Sequence, residues 1–284
     1  MKKILVTGGN GFVGSHLVDK LKQIHKITVF DIAKRKDHQA DNNTRLIKGD
    51  LTDFNLLKEI ANNFDGIIHL GAISRVKEGN SNPQNCMNVN IMGTINILEM
   101  IRTSKKHPWV ILGSTNETPT NIYGLSKHIS ELCVERYAKD YDLRSMVLKF
   151  SSIYGPMDNP DKLIPKLIHR ALNNKDIIIN NSETSFDFIY IDDVVDGILS
   201  SINYIENIGN KYYDVFPLCT GETTSLRSLA KLIVEEASSN SKIIIKEEKK
   251  EANLVLDPKK ANDILNFKTK IDIGEGIKLL VQKW

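Results

Sequence analysis

The sequence predicts an α/β protein, with a doubly wound, mostly parallel sheet in its N-terminal half and a smaller α/β domain after it. Three observations carry this. Short β-branched apolar runs alternate with longer helical patterns up to about residue 150. The apolar runs lack strict apolar–polar alternation, as strands covered on both faces should. A glycine-rich turn joins the first strand to the first helix.

The elements follow in order. Lys3–Thr7 (KILVT) reads as the first strand. Val13, Leu17, Leu21 and Ile24 then recur at spacings of 4, 4 and 3, one face of a helix. Lys26–Phe30, Arg45–Lys48, Gly66–Leu70, Trp109–Leu112 and Ser145–Phe150 supply the remaining strands. Helical patterns at Asp53–Phe64, Asn85–Ser104 and Tyr123–Asp140 lie between them, with Asp53 reading as an N-cap. Strands alternating with helices imply right-handed crossovers. After Phe150 the order loosens, and Ile164–Asn173, Asp192–Ile205, Leu226–Ala237 and Ile273–Val281 read as helices. The predicted division is residues 1–150 for the first domain, with 187–216 returning to it, and 151–186 with 217–284 for the second.

The composition excludes several classes. The 284 residues are 41% hydrophobic and 26% charged, ordinary for a globular enzyme. Against 35 acidic residues stand 38 Lys and Arg, a surplus of +3 that does not suit a nucleic-acid binder. No stretch approaches the roughly 18 apolar residues of a membrane helix. The opening MKKILVTGG does not read as a signal peptide, because its apolar run, Ile4–Val6, is short and glycines follow at once. Cys86, Cys133 and Cys219 show no pairing or metal spacing, so they read as reduced thiols in a cytoplasmic protein without a bound metal.

The turn after the first strand is Thr7-Gly8-Gly9-Asn10-Gly11-Phe12-Val13-Gly14. Gly8, Gly11 and Gly14 form G-x-x-G-x-x-G at a strand-to-helix junction, which is the context this motif requires. Glycines allow backbone to approach a pyrophosphate, and the helix that opens at Phe12 and Val13 offers N–H groups and a positive dipole end. Asp31 ends the second strand, followed by Ile32. A carboxylate there accepts hydrogen bonds from ribose hydroxyls and repels a 2′-phosphate, which favours NAD over NADP. Lys34 and Arg35 pull the other way. Asp50 and Leu51 follow the third strand, where Asp50 is placed to contact the adenine.

Tyr123 and Lys127 stand at i and i+4 on a predicted helix and so share a face. An ammonium beside a phenol lowers the phenol pKa from about 10. A phenolate beside a dinucleotide suits removal of a proton from a sugar hydroxyl while hydride leaves the same carbon. Thr115, after the strand Trp109–Leu112, is placed to give the reacting oxygen a further hydrogen bond.

With these residues in place the chain resembles the extended short-chain dehydrogenase/reductase family, in its nucleotide-sugar epimerase/dehydratase branch. The resemblance runs nearly end to end. It covers the glycine turn, Asp31, Asp50-Leu51, His69-Leu70-Gly71-Ala72, Asn90-Ile91-Met92-Gly93-Thr94, Tyr123/Lys127, Ile153-Tyr154-Gly155-Pro156, Phe188–Val194 and Thr220–Leu226. It implies a Rossmann-type NAD domain, a smaller domain gripping a nucleoside diphosphate sugar, and a homodimer built on the helices of Asn85–Ser104 and Tyr123–Asp140. By resemblance Thr115, Tyr123 and Lys127 are catalytic. Leu70, Gly71 and Ala72 line the cofactor, as do Ser151 and Ile153 from the segment Lys149–Ile153. Asn116, Ser152 and Lys249 fall on the substrate side, Lys249 and Lys250 standing where the family often has a diphosphate-binding arginine.

The chain also departs from the family pattern. Only 8 positions separate Thr115 from Tyr123, where a longer loop is usual. Phe186 precedes Asp187-Phe188 in place of a frequent arginine, and Met157 replaces another. The dehydratases of this branch carry an Asp–Glu acid–base pair after the threonine. Here Glu117 is retained, but Asn116 cannot deliver a proton, which argues against dehydration. The leading expectation is an NAD-dependent epimerase acting at C4 of a UDP-sugar through a transient 4-keto sugar. A 4,6-dehydratase and a 4-keto reductase are the rivals among enzymes. A non-catalytic dinucleotide sensor is the rival of another class, and the intact Tyr123 and Lys127 argue against it.

Overall fold

The computed structural model describes residues 1–33, 41–209, 211–246 and 255–284. The first half contains β1 (Lys3–Thr7), α1 (Phe12–Leu21), β2 (Lys26–Asp31), β3 (Thr44–Lys48), α2 (Phe54–Ile60), β4 (Gly66–His69), α3 (Val76–Ser81), α4 (Pro83–Met87), α5 (Gly93–Thr103), β5 (Trp109–Thr115), α6 (Ile122–Asp140) and β6 (Arg144–Phe150). Then come β7 (Ser152–Tyr154), α7 (Leu163–Leu172), β8 (Ile177–Ile179), β9 (Ser185–Phe186), β10 (Phe188–Tyr190), α8 (Ile191–Glu206) and β11 (Tyr212–Leu218). The chain closes with β12 (Thr224–Ser225), α9 (Leu226–Glu236), β13 (Ile243–Ile245), α10 (Lys259–Leu265) and α11 (Ile273–Val281). Residues 1–149 and 198–216 form one compact unit, and 150–197 with 217–284 form a second.

The first unit is built on a seven-stranded sheet in the order β11-β6-β5-β4-β1-β2-β3. Strands β3, β2, β1, β4 and β5 run parallel, each to its neighbour. Ile4, Leu5 and Val6 are fully buried, as are Ile67 and Ile68 in β4 and Ile111 and Leu112 in β5. That complete coverage explains the unbroken apolar runs, since both faces of each strand meet helices. Strand order reverses between β1 and β4, so a crevice opens at their carboxyl ends, where such sheets take ligands.

Three elements differ from the periodic reading. Ile24 does not lie on the first helix, which ends at Leu21; it is 57% exposed on the following turn. The pattern at Asn85–Ser104 is not one helix. Asn82 caps α4, accepting from the Asn85 N–H, and a π-helical turn at Asn88–Met92 separates α4 from α5. The helix after Asp53 stops at Ile60 and passes into a 3-10 turn, while Asp53 caps it by accepting from the Leu56 N–H.

Among the described residues the second unit holds three two-stranded pairings, β7 with β10, β9 with β12 and β8 with β13. Two buried carboxylates staple it. Asp187 accepts from the backbone N–H groups of Thr220 and Gly221 and from the Thr220 hydroxyl at 2.8–3.1 Å. Asp193 accepts from the N–H groups of Lys270 and Ile271. Strands of two or three residues carry too short a pattern to be read from sequence, which is why this half showed only its helices.

Candidate active site

The glycine turn makes a cradle at the carboxyl end of β1. Gly8 has a φ of +68°, and a Cβ there would lie 2.6 Å from the Gly71 nitrogen, so only glycine fits. A Cβ on Gly14 would collide with the Gly8 carbonyl oxygen. Gly11 caps α1 without any side chain, so the first turn of the helix, opening at Phe12 and Val13, presents backbone and a positive dipole end at the glycine turn. Asp31 is already oriented: one carboxylate oxygen accepts from the Asn10 N–H at 2.9 Å, the other from Ala33 N–H at 3.0 Å. Ile32, just after Asp31, is exposed. Asp50 accepts from the N–H and hydroxyl of Thr52. Leu51 packs under Gly71 and Gly93. The turn after β4, from Leu70 through Gly71 and Ala72, therefore meets the glycine turn directly, and this donor set fits a dinucleotide.

Behind the cradle lies a buried hydrogen-bond chain. Thr7 Oγ1 and His69 Nδ1 are 2.7 Å apart, and His69 Nε2 and Thr94 Oγ1 are 3.2 Å apart. The Thr94 hydroxyl donates to the Asn90 carbonyl, so it must accept from His69 Nε2–H. His69 Nδ1 is then an acceptor from Thr7 Oγ1, which itself accepts from the Gly71 N–H. Burial pushes His69 down to about 3, with the Lys127 charge adding to the effect, so the imidazole is neutral in one tautomer. Asn90, in the π-helical turn, brackets Ile73: it accepts from its N–H at 2.8 Å and donates to its carbonyl at 3.0 Å. The same amide donates to Ser126 Oγ at 2.8 Å, tying the turn after β4 to helix α6.

Helix α6 carries Tyr123 and Lys127. Its N-cap Asn121 accepts from the Gly124 N–H, and the short loop before it folds back so that Thr118 sits on Gly124. The hydroxyls of Tyr123 and Thr115 are hydrogen-bonded. Thr115 Oγ1 also accepts from the Glu117 N–H at 3.2 Å. Glu117 is exposed, and its carboxylate accepts from the Asn121 amide, so it braces the loop. Asn116 is half-buried beside it. The phenol does not behave as the spacing predicted. Burial pushes Tyr123 up to about 12, opposed by the Thr115 hydrogen bond and reinforced by the Glu117 charge. The ammonium moves instead: burial draws Lys127 down to about 8, against the pull of Glu131 and Cys86.

The first unit thus brings together Gly8, Gly11, Gly14, Asp31, Asp50, Leu51, Leu70–Ala72, Thr115–Glu117, Tyr123 and Lys127. Ser151, Ser152 and Ile153 belong to the second unit. There the Ser151 N–H donates to the Leu218 carbonyl and the Ser152 N–H to the Asp187 carbonyl. The Ser151 hydroxyl is buried without a hydrogen-bond partner among the described residues. Lys34, Arg35, Lys249 and Lys250 lie outside the described residues. Sequence reasoning assigned no part to Thr7, Thr94 or Ser126, nor to Asn90 beyond its place in a family stretch. Their polar character inside apolar runs was the available signal.

Residues 4–215 match the NAD dependent epimerase/dehydratase family. A putative UDP-glucose 4-epimerase of Methanocaldococcus jannaschii is 30% identical over 98% of this chain and 97% of its own. A dTDP-D-glucose 4,6-dehydratase of Dictyostelium discoideum is 30% identical over 75% of this chain and 59% of its own. Among solved structures, a UDP-glucose 4-epimerase of Thermotoga maritima with UDP-glucose superposes with a TM-score of 0.86 at 27% identity, covering 99% of this chain and 97% of that one.

Proposed function

The chain belongs to the NAD dependent epimerase/dehydratase family, and we propose that it epimerises C4 of a UDP-sugar through a transient 4-keto sugar, with NAD as cofactor. The observation that carries this reading is the hydrogen-bonded Tyr123–Thr115 pair on the same unit as the glycine cradle, with Lys127 one turn along the helix and coupled to the cradle through His69. Bound NAD supplies a hydride acceptor that returns the hydride and, when oxidised, a positive ring that favours a phenolate. Tyr123 takes the proton from the 4-hydroxyl, Thr115 holds the reacting oxygen, and Lys127 holds a cofactor ribose. Gly8, Gly11, Phe12, Val13 and Gly14 take the pyrophosphate, and Asp31 the adenosine ribose. Asp50 contacts the adenine, and Ile32, Leu51 and Leu70–Ala72 line the cofactor. By the family resemblance, Ser151 and Ile153 belong to the cofactor-binding set, and Asn116, Ser152 and Lys249 to the substrate-binding set. Asn116 beside Glu117 supports epimerisation over 4,6-dehydration, because an amide cannot donate a proton as an acid does.

The test incubates purified protein with UDP-galactose and UDP-N-acetylhexosamines without added cofactor. The 4-epimer is expected; its absence with every common nucleotide sugar overturns the reading, and a 4-keto-6-deoxy product with an alkaline ultraviolet chromophore replaces it with dehydration. The proposal extends to a cytoplasmic homodimer joined through α5 and α6, where Leu132 of α6 and Met92, in the π-helical turn that leads into α5, are exposed. Leu132→Glu is expected to yield a monomer by light scattering, and an unchanged mass would remove α6 from the interface.

A further inference from the structure

We infer that Glu131 is a positioning residue for the Tyr123–Lys127 pair, its carboxylate keeping the Lys127 ammonium charged while locking α6 to β5 and β6. The inference rests on the reading above only in giving Lys127 a part in turnover. Tyr123, Lys127 and Glu131 follow one another at steps of four along α6, so they form one row. Glu131 is buried, and a buried carboxylate persists only when it is paired and hydrogen-bonded. Ser114 Oγ donates to its Oε1 at 2.5 Å, and Lys149 Nζ sits 3.0 Å from its Oε2. Ser114 adjoins Thr115 at the end of β5, and Lys149 lies on β6. One carboxylate thus joins the strand bearing Thr115, the helix bearing Tyr123 and a neighbouring strand.

The surroundings of Lys127 give Glu131 its electrostatic role. Tyr123 and Glu131 share its helix, Cys86 faces it from α4 and His69 from β4. His69 is neutral, so the Glu131 carboxylate is the fixed opposite charge in that set. On its other side Glu131 meets Lys149 and acts on Tyr213 of β11. Desolvation draws Lys127 toward loss of its proton and Glu131 opposes it. Without that carboxylate nothing among these groups offsets the desolvation of the Lys127 ammonium except Cys86.

The experiment titrates the Lys127 side chain by NMR of 13Cε-labelled lysine, assigned through the signal lost in Lys127→Met, in the wild type, Glu131→Gln and Lys149→Gln. Glutamine at 131 keeps an acceptor for Ser114 and removes the charge. Lys127 is expected to lose its proton at least one pH unit lower in Glu131→Gln, and at higher pH than wild type in Lys149→Gln. The alkaline limb of kcat against pH moves with each titration, while NAD affinity stays within about threefold. Lys127 titrating as in the wild type in Glu131→Gln overturns the inference. If that variant does not fold, Lys149→Gln decides, and a Lys127 titration that fails to rise overturns it. A wild type that turns over no nucleotide sugar sinks the functional reading instead, and the NMR titration still decides on Glu131.

Discussion

A single methyl group tests the cradle. The Gly8 carbonyl occupies the space a Gly14 Cβ would need. Gly14→Ala must push the turn away from its contact with Gly71, and overpacking of this kind costs about 1–3 kcal/mol. We expect NAD affinity to fall more than tenfold by calorimetry, with a modest drop in Tm; unchanged affinity would show that the pyrophosphate sits elsewhere. Tyr123→Phe removes the hydroxyl and keeps the ring. Turnover is expected to fall by at least about 10²–10⁴, the range of general acid–base catalysis, with NAD binding intact. Retained turnover would take Tyr123 out of the chemistry. These residues were legible because their chemistry is local: a strand, three glycines and a helix are contiguous, and i, i+4 spacing is set by the helix itself. The Tyr123 ionisation was not legible, because it depends on how completely the fold buries the phenol, and burial here outweighs the Thr115 hydrogen bond.

At the scale of elements, the π-helical turn Asn88–Met92 is the feature the periodic pattern hides. Apolar spacing across Asn85–Ser104 is nearly that of one helix, so the sequence reads through the extra residue. The turn delivers Asn90 into the interior, where its amide satisfies both backbone groups of Ile73 and reaches Ser126. Asn90→Ala leaves that part-buried N–H and C=O without their side-chain partner, and an unsatisfied group of this kind costs up to about 1–3 kcal/mol. We expect a loss of about 2–4 kcal/mol in urea unfolding, together with weakened NAD binding, since Ile73 continues the turn that packs against Gly8. A variant as stable as wild type would mean the bracket is dispensable. Single elements of the N-terminal half were readable to within a few residues. Beyond Phe150 the strands are held by long-range staples such as Asp187 to Thr220, which leave no periodic trace.

At the scale of the whole molecule, the buried imidazole makes stability depend on pH. His69 joins Thr7 and Thr94, partners 62 and 25 positions away, so its tautomer could not be read from neighbours in sequence. Its pKa is about 3 in the folded chain against 6.5 for an exposed histidine. Between those values the unfolded chain binds the proton and the folded chain does not. Stability is therefore full above pH 6.5 and declines as pH falls toward 3, at up to about 1.4 kcal/mol per pH unit. His69→Gln cannot titrate, and its amide can still donate toward Thr94. Comparing the two proteins cancels the carboxylates common to both. The wild type is expected to lose about 1–2 kcal/mol relative to His69→Gln between pH 6.5 and 5 in urea unfolding. A difference that stays constant over that interval would mean the imidazole takes up its proton without unfolding, and its Nδ1–H would then have to donate to Thr7 Oγ1, reversing that bond while Thr94 keeps its bond to the Asn90 carbonyl.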